Sequence, residues 1–475
     1  MTPLQADPFA TWFGIDEQIV HRVLSEAMGR GAEFADLYFQ HLKTISVGLE
    51  DGIINQASSG VDQGVGVRAV VDDQVGYAFS EALDVDAMLQ AARTAATIAS
   101  GDGQVPPQDV SRVETVDYYA LDRTWEDVAV SERLPLVRQV ESFCKEMDPA
   151  VEKVSAFWYD RDERVLVVTS EGTYASDRRP MAILSCQVTA EKNGQRQSHS
   201  ASVARREAID WFTDEELRKV CRKAVDQTML LFEAVRPPAG ELPVVLAAGA
   251  SGILLHEAIG HGLEADFNRK GTSIYASMMN EKVAPAFVTI VDDGTLANDR
   301  GALNVDDEGC LTEKTVLIEN GVLRSYLHDR ISAKHYGVKP TGSGRRESFR
   351  HVPMPRMRST YMLNGPHTYD EIIQSVDRGI VAETFSNGQV QIGSGDFTFY
   401  IKNGWLIEGG KITVPIKDVN IIGNGPEALR NVTMVADDFK LDEAGWTCGK
   451  NGQSVPVSLG LPTVLVNQMT VGGVN

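Results

Sequence analysis

Apolar residues in the first half of the chain recur first at helical spacing and then at strand spacing. An amphipathic pattern predicts a helix over residues 16–30, and strand-like runs follow it. Asp84 is placed to cap a second helix, because its carboxylate can accept from the free N–H groups of the first turn. Another helix near residues 131–147 then precedes further strands and a long helix that ends before Arg236. The order of helix, strands and helix therefore occurs twice, which predicts an α+β region, with two related halves as one interpretation.

The segment from Arg236 to Gly240 contains two prolines and interrupts the helical pattern, so it predicts a domain boundary. We expect an N-terminal domain over residues 1–236 and a C-terminal domain over residues 240–475. The Asn-Gly pair at Asn193 predicts a hairpin in the N-terminal domain. The C-terminal part is rich in strand and turn signals, including Asn-Gly pairs at Asn320, Asn387, Asn403 and Asn451. Thr368 and Glu371 form a capping box before a short helix. The overall prediction is an α+β fold whose C-terminal domain is a curved antiparallel sheet that carries one deformed helix.

Composition narrows the function further. The chain has 475 residues, which is more than one compact core normally holds, and a formal net charge of −21. That charge, with no basic cluster, argues against direct binding of nucleic acid. No signal peptide and no membrane-spanning run is recognisable. The 5 cysteines are scattered and odd in number, which favours a reducing cytoplasm over a disulfide framework.

The chemistry is concentrated in SGILLHEAIGHGLEADF, from Ser251 to Phe267. Here His256 and Glu257 are followed by His261, whereas common zinc peptidases place their two histidines four residues apart on one helical face. In a regular α-helix, a five-residue separation rotates the two rings by roughly 140° relative to each other. Both imidazoles can reach one zinc ion only if the helix is locally widened, for instance by one π-type turn. Gly260 and Gly262 flank His261 and would make such a distortion less crowded.

A catalytic zinc ion needs a third protein ligand and an open position for water. Two candidates rank equally on chemistry: Glu264, one turn after His261, and Cys448, which lies in a glycine-rich loop. A buried core position for Cys448 and a supporting carboxylate role for Glu264 are the alternatives. The other histidines considered as ligands are His328, His335 and His351.

Glu257 would accept a proton from the metal-activated water during attack on a carbonyl group. It is not expected to bind the metal as well, because its neighbour His256 points there. An electrophilic donor for the developing oxyanion is still required, and Tyr361, Arg345 and Arg346 are candidates. A tyrosine on a strand is more often part of a core or a sheet surface.

The segments HEAIGHGLEADFNRKGTS, PTGSGRRES, PMPRM, CGKNGQS and TVGG resemble the TldD/PmbA family of bacterial metallopeptidases over most of the C-terminal domain. The resemblance implies that His256, His261 and Cys448 bind zinc and that Glu257 is the general base. It thereby favours Cys448 over Glu264, which the residues alone left open. PmbA-type members, also called TldE, lack the histidine motif, so this chain resembles the catalytic member of the pair.

The same resemblance implies a cytoplasmic endopeptidase that works with a PmbA/TldE-like paralogue, with a homodimer as an alternative assembly. Its substrates would be unfolded or flexible peptides, including modified peptides that lose a leader, or antitoxins. A strand-rich domain suits recognition of an extended peptide by pairing with an exposed strand. The loop containing Gly342, Gly344, Arg345 and Arg346 could line such a groove, or could be a solvated hairpin tip with surface arginines.

Two other classes remain open at this stage. One is a non-catalytic peptide-binding or regulatory protein, a modulator of DNA gyrase, whose zinc is structural and has four protein ligands. The other is a metal-dependent hydrolase of a non-peptide amide.

Overall fold

The computed structural model describes residues 4, 7–103 and 105–473. Its helices are α1 (Pro8–Phe13), α2 (Glu17–Met28), α3 (Val85–Ile98), α4 (Val130–Met147), α5 (Asp214–Glu233), α6 (Ile253–Leu255), α7 (Ala265–Arg269), α8 (Arg330–Tyr336), α9 (Tyr369–Ser375) and α10 (Gly425–Arg430). Its strands before α6 are β1 (Phe34–Glu50), β2 (Ile53–Val71), β3 (Gln74–Ser80), β4 (Ser111–Arg112), β5 (Val151–Thr169), β6 (Thr173–Lys192), β7 (Gln195–Arg205) and β8 (Gly240–Leu246). The later strands are β9 (Ile290–Asp293), β10 (Lys314–Glu319), β11 (Val322–Leu323), β12 (Gly344–Arg345), β13 (Met354–Pro355), β14 (Ser359–Met362), β15 (Arg378–Gln391), β16 (Asp396–Glu408), β17 (Lys411–Asn424), β18 (Val432–Val435), β19 (Lys440–Leu441), β20 (Thr447–Lys450), β21 (Gln453–Pro456), β22 (Ser458–Leu461) and β23 (Val464–Gly473).

The N-terminal strands form one seven-stranded sheet in the order β3-β2-β1-β5-β6-β4, with β7 also paired to β6. The long strands β1 and β5 pair antiparallel at its centre. Helices α2 and α3 bury their apolar faces with β1 and β2 in one core, and α4 and α5 pack with β5, β6 and β7 in a second core. The predicted order of helix, strands and helix thus occurs on each side of the central pair, while the relation between the two halves stays a prediction.

The strand-rich remainder forms two six-stranded sheets, in the orders β11-β10-β9-β14-β22-β19 and β17-β16-β15-β8-β23-β18. A large apolar core brings residues of both sheets together with α6 and the histidine segment. Each sheet includes one parallel pair, β14 with β22 and β8 with β15, among antiparallel neighbours. The predicted α+β class is confirmed, although the strand pattern did not reveal that the C-terminal strands divide into two sheets.

Local signals explain where several elements begin. Asp16 caps α2, Asp84 caps α3 through the N–H of Ala87, and Thr368 with Glu371 forms the predicted capping box of α9. The Asn-Gly pairs at Asn193, Asn320 and Asn451 form tight turns with positive φ at both residues. The turns predicted at Asn387 and Asn403 are wrong, since these residues lie inside β15 and β16. Both Asn-Gly pairs are accommodated within the paired strands β15 and β16, whose register shifts at bulges near Thr384.

Helix α5 ends at Glu233 and β8 begins at Gly240, so the proline-containing segment connects the N-terminal sheet to the C-terminal sheets. The division of the chain into two domains at this segment stays a prediction. Among the helices of the described residues, none is both long and apolar enough to cross a membrane.

Candidate metal centre

The segment between His256 and His261 departs from α-helical geometry as the histidine spacing predicted. Helix α6 continues into a π-helical turn at His256–Gly260, followed by a 3₁₀ turn at His261–Leu263. The wider turn returns the two histidines to one side of the helix despite their five-residue separation. A Cβ atom at Gly260 would lie 2.0 Å from the sulfur of Met357, so any larger residue there would require the Met357 side chain to move.

The two imidazoles meet a distant cysteine. Ligand atoms of His256, His261 and Cys448 lie within 4.8 Å of one another, and all three residues are buried. Nε2 of His261 is 3.5 Å from Sγ of Cys448, and the two imidazole rings are nearly perpendicular, with an interplanar angle of 81°. Two imidazole nitrogens and one thiolate converging on one point are a donor set that suits zinc, with room left for a fourth, non-protein ligand. The residues present therefore fit a metal ion.

Cys448 is positioned by a small hairpin. It lies on β20, directly opposite Val455 on β21, and Asn451 with Gly452 forms the turn between the strands. The buried guanidinium of Arg356 donates to the carbonyl of Cys448 over 2.5 Å. This contact ties the hairpin to the segment that also carries Met357, the side chain packed against Gly260.

Electrostatics at the cluster favour the ligand form of Cys448. Burial raises the pKa of the Cys448 thiol, but the adjacent rings of His256 and His261 lower it more, so the pKa lies well below its usual range. A thiolate at neutral pH is the form that binds a metal ion.

Glu264 lies behind His261 rather than beside Cys448. Its Oε2 is 3.0 Å from Nδ1 of His261, the ring nitrogen that faces away from the thiol. Burial raises the pKa of Glu264, but Lys450 and His261 lower it more strongly, to about 2. A carboxylate at this place fixes the ring orientation and tautomer of a metal-binding histidine. Glu264 thus contacts His261, and its role as a supporting carboxylate stays a prediction.

Lys450 is a functional candidate that the sequence reasoning missed. Its ammonium group lies 3.0 Å from Glu264 and 2.7 Å from Asp266, and its side chain is only 2% exposed. Lys450 follows Cys448 by two positions on a strand, which places both side chains on the same face. The two-residue spacing between Cys448 and Lys450 was the sequence signal from which this role could have been predicted. The lysine extends the chain of contacts behind His261.

Glu257 differs from the other groups by its access to solvent. Its side chain is 23% exposed, and its Oε2 lies 3.9 Å from Nε2 of His261. It can therefore approach a water molecule held among the three ligand atoms while exchanging protons with solvent.

Tyr361 is not brought into this cluster by any hydrogen bond among the described residues. It lies buried on β14, and its hydroxyl donates to Asp293 over 2.9 Å. Burial, together with the nearby carboxylate of Asp293, raises the pKa of Tyr361 above its usual range. Its role as an oxyanion donor stays a prediction, and the bond to Asp293 does not favour it.

The loop from Gly342 to Arg346 is buried throughout, so its interpretation as a solvated hairpin tip is wrong. Arg345 donates to the carbonyls of Met357 and Pro456, and Arg346 contacts Asp36 and Asp307. Gly342 and Gly344 pack against Leu311 and Glu308 so closely that neither has room for a Cβ atom. A peptide-binding role for these residues stays a prediction.

The remaining histidines considered as ligands do not belong to a metal-spaced group within the described residues. His328 packs against Tyr336, His335 lies on α8, and His351 pairs with Ser348.

A second group with metal-like spacing lies elsewhere, in the N-terminal sheet region. Cys144, Cys186 and Cys221 are buried, and their sulfur atoms also lie within 4.8 Å of one another. They belong to the apolar core that α4 and α5 form with the sheet. All 5 cysteines are free thiols.

A cysteine, two histidines and a partly exposed carboxylate lie next to one another here, and comparisons with known proteins identify the family. Three models of the PmbA/TldA metallopeptidase match residues 35–99 as domain 1, 123–232 as the central domain and 239–473 as the C-terminal domain. The chain belongs to this PmbA/TldD metallopeptidase family.

Individual relatives agree with this assignment. The chain is 43% identical over 453 residues to a metalloprotease TldD homolog of Haemophilus influenzae, covering 94% of each chain. It is 26% identical over 455 residues to a zinc metalloprotease TldD homolog of Saccharolobus solfataricus, covering 95% of this chain and 99% of the relative.

Two solved structures share the fold. A candidate modulator of a DNA gyrase from Thermotoga maritima superposes with a TM-score of 0.78 at 20% identity, covering 96% of this chain and 100% of the other. TldE from Thermococcus kodakarensis gives a TM-score of 0.73 at 19% identity, with the same coverage.

Proposed function

We propose that this protein is a zinc-dependent endopeptidase in which His256, His261 and Cys448 hold the metal and Glu257 is the general base. The observation that carries the proposal is the convergence of the three ligand atoms within 4.8 Å, beside a carboxylate that is 23% exposed. A relative named as a zinc metalloprotease supports the choice of metal.

When bound, zinc would supply Lewis acidity that lowers the pKa of a coordinated water molecule to near 7. With the metal in place, Glu257 would serve as the general base that accepts a proton from the attacking water molecule and returns it to the leaving amine. Its partial exposure lets it regain its starting state between turnovers. Glu264 and Lys450 keep His261 oriented through the contact at Nδ1.

The proposed substrate is an unfolded or flexible peptide, such as the leader of a modified peptide or an antitoxin. Support comes from a cavity of about 720 Å³ between the polar face of the N-terminal sheet and the C-terminal sheets. Ala444, Gly445 and Trp446, which immediately precede β20, line it, as do Ser200 and Ser202 of the edge strand β7. An extended chain could pair with a strand edge there, which reads backbone more than side chains.

A PmbA/TldE-like paralogue is the proposed partner. The similarity of the fold to TldE supports this proposal, because a chain of the same architecture could pack against this one in a pseudo-symmetric pair.

The decisive experiment replaces Glu257 by glutamine and measures cleavage of an unstructured peptide by mass spectrometry, with a PmbA-like partner present. Loss of the general base is expected to lower the rate by about 10²–10⁴-fold while the zinc content stays unchanged. Glu319→Gln is the matched control, because it makes the same substitution at an exposed glutamate on β10 that does not belong to the group of His256, His261 and Cys448. Full activity of Glu257→Gln, or no cleavage by wild type, would remove the peptidase proposal.

A second candidate is a non-catalytic regulator of DNA gyrase, which the description of the Thermotoga maritima structure favours. A structural zinc site is normally closed by four protein ligands, whereas three side chains meet here within the described residues. The same Glu257 experiment separates the two candidates. Products mapped from matched peptide and non-peptide amides test the remaining alternative, a hydrolase of another amide.

A further inference from the structure

A second cavity, of about 390 Å³, lies where the N-terminal sheet meets the hairpin that carries Cys448. Ser454, Val455 and Pro456 of β21 form part of its wall, and Val455 is the residue directly opposite Cys448. The cavity is lined by an unusual concentration of guanidinium groups, those of Arg161, Arg179, Arg206, Arg345, Arg346 and Arg350. In a protein with a net charge of −21, such a concentration of positive charge calls for a physical reason.

Four of these arginines are neutralised by carboxylates of the protein. Arg161 pairs with Glu163, Arg179 with Asp177 and Asp307, Arg346 with Asp36, and Arg350 with Asp62 and Glu81. Arg206 and Arg345 make no ion pair with any carboxylate in the described part of the chain. Both are nevertheless buried, with exposures of 0% and 3%. Buried charges in folded proteins are normally paired, because an unpaired charge in the interior is costly.

Arg206 is the more extreme of the two. The only hydrogen bond of its guanidinium among the described residues runs from Nη1 to the carbonyl of Pro180, over 3.1 Å. Its Nε and Nη2 atoms are buried without a partner among those residues, and the guanidinium stacks on the ring of Tyr119 at 4.7 Å. Burial lowers the pKa of Arg206, and Arg161 and Arg179 lower it further. Two nitrogen atoms of a buried guanidinium in the wall of the cavity therefore have no hydrogen-bond acceptor among the described residues.

Arg345 adds further donors on the side of the metal-binding hairpin. Its Nη1 and Nη2 donate to the carbonyls of Met357 and Pro456, at 2.6 Å and 2.8 Å. A guanidinium has five N–H donors, so these two bonds leave others unused. Burial lowers the pKa of Arg345 to about 9; Asp307 opposes the shift, and Arg356, Arg179 and Arg206 contribute to it. Arg206 therefore lies near enough to Arg345 for the two positive charges to repel each other.

We propose that this cavity binds an oxyanion, either a carboxylate of the peptide substrate or a free inorganic phosphate, through Arg206 and Arg345. The planar fork of a guanidinium matches the two oxygens of such a group. The peptide source rests on the proposed peptidase function, whereas the phosphate source does not depend on it. A carboxylate held here would anchor the peptide beside the hairpin whose other strand carries Cys448.

The first test measures the binding of inorganic phosphate to the full chain by calorimetry, with sodium chloride adjusted to keep the ionic strength constant. Wild type is expected to bind phosphate saturably, and Arg206→Gln to bind it at least ten-fold more weakly. Arg206→Lys retains the charge but not the planar fork, and is expected to fall between them. Arg205→Gln is the matched control, because the adjacent Arg205 is partly exposed and pairs with Glu443. Cys448→Ala is included so that phosphate held at the metal is recognised.

Arg206→Gln also gives a readout that separates ligand binding from a structural role. Without phosphate, its Tm is expected to equal or exceed that of wild type, because an unpaired buried charge has been removed. A clearly lower Tm of the ligand-free variant together with unchanged phosphate affinity would overturn the proposal. So would phosphate binding that disappears in Cys448→Ala and persists in Arg206→Gln.

The second test distinguishes the two sources of the oxyanion. A peptide with one aspartate and a free C-terminal carboxylate is compared with the same peptide carrying asparagine and a C-terminal amide, using binding to Glu257→Gln protein. At least five-fold tighter binding of the acidic peptide, lost in the double variant with Arg206→Gln, identifies the peptide carboxylate. Phosphate binding without a difference between the peptides identifies a free anion. The proposed site is overturned if protein with both arginines intact shows no phosphate binding and no preference for the acidic peptide. This outcome is independent of what the Glu257 variant shows about cleavage.

Discussion

Two groups of three side chains in this protein have the same metal-like spacing but very different surroundings. His256, His261 and Cys448 lie within 4.8 Å of one another, and so do the sulfur atoms of Cys144, Cys186 and Cys221. The first group is backed by Glu264 and Lys450 and flanked by the partly exposed Glu257. The second is enclosed by apolar side chains, and the thiols of Cys186 and Cys221 face the backbone carbonyls of Val220 and Val140.

The difference shows that proximity alone does not make a metal site. In the first group, histidine rings stabilise a thiolate, and a carboxylate holds one ring in place. In the second, hydrogen bonding with Cys144 and burial raise the pKa values of the Cys186 and Cys221 thiols, so these two groups resist losing their protons inside the apolar core. We therefore expect the first group to bind zinc and the second to act as core packing, an interpretation that four predictions test.

The largest expected effect is on metal content. Cys448→Ala removes one of three ligands, so the purified variant is expected to lose its zinc and its peptidase activity together. Cys144→Ala, the matched variant in the thiol core, is expected to retain the wild-type zinc content. Elemental analysis of the three proteins checks both statements. Unchanged zinc in Cys448→Ala would rule out the proposed third ligand. Loss of zinc only in Cys144→Ala would show that zinc binds to the thiol group and not to the group of His256, His261 and Cys448.

The next largest effect concerns the support behind His261. Glu264→Gln replaces a charged acceptor at Nδ1 by a neutral amide, which is expected to lower zinc affinity by about 10–100-fold. Competition with a fluorescent chelator measures the affinity. Glu141→Gln is the control beside the thiol core, since Glu141 lies on the same helix as Cys144. Equal affinities of wild type and Glu264→Gln would show that this carboxylate does not support the metal.

A smaller effect is expected on the folding stability of the N-terminal region. Cys186→Ala deletes one buried sulfur atom from a packed core and is expected to lower the free energy of unfolding by about 1 kcal/mol. Urea unfolding, followed with and without a chelator, should give the same loss in both conditions. A loss that appears only when zinc is present would indicate that the thiol group binds metal after all.

The smallest effect is a pH dependence of the metal-free protein. The pKa of Glu264 is lowered from its ordinary value of 4.5 to about 2, so its ionised form stabilises the folded state. This contribution is fully present above pH 4.5 and is lost as the pH falls through about 2. Unfolding followed by fluorescence should therefore show a shallower acid dependence in Glu264→Gln than in wild type. Cys144→Ala should keep the wild-type slope, and identical slopes for all three proteins would contradict the assignment.

Much of the fold and of the site could be predicted from local patterns. The caps at Asp84 and Thr368 and the turns at Asn193, Asn320 and Asn451 follow from the local hydrogen bonding and backbone freedom of those residues. The turns expected at Asn387 and Asn403 failed, because pairing with neighbouring strands overrode the preference of the dipeptide. The pattern of apolar and polar residues also could not predict that the C-terminal strands divide into two sheets. Parallel pairs such as β8 with β15 join residues that are far apart in the chain.

By itself, the sequence determined that the helix at His256 had to deviate from α geometry. The reason is local: two histidines five residues apart reach one ion only across a widened turn, and the π turn at His256–Gly260 has this property. Only the tertiary structure decided what stands around them. It brings Cys448 to 3.5 Å from His261 across 187 positions of the chain and places Glu264 behind the ring, where it meets Lys450. Those contacts depend on how the sheets pack together, and no local pattern records that packing.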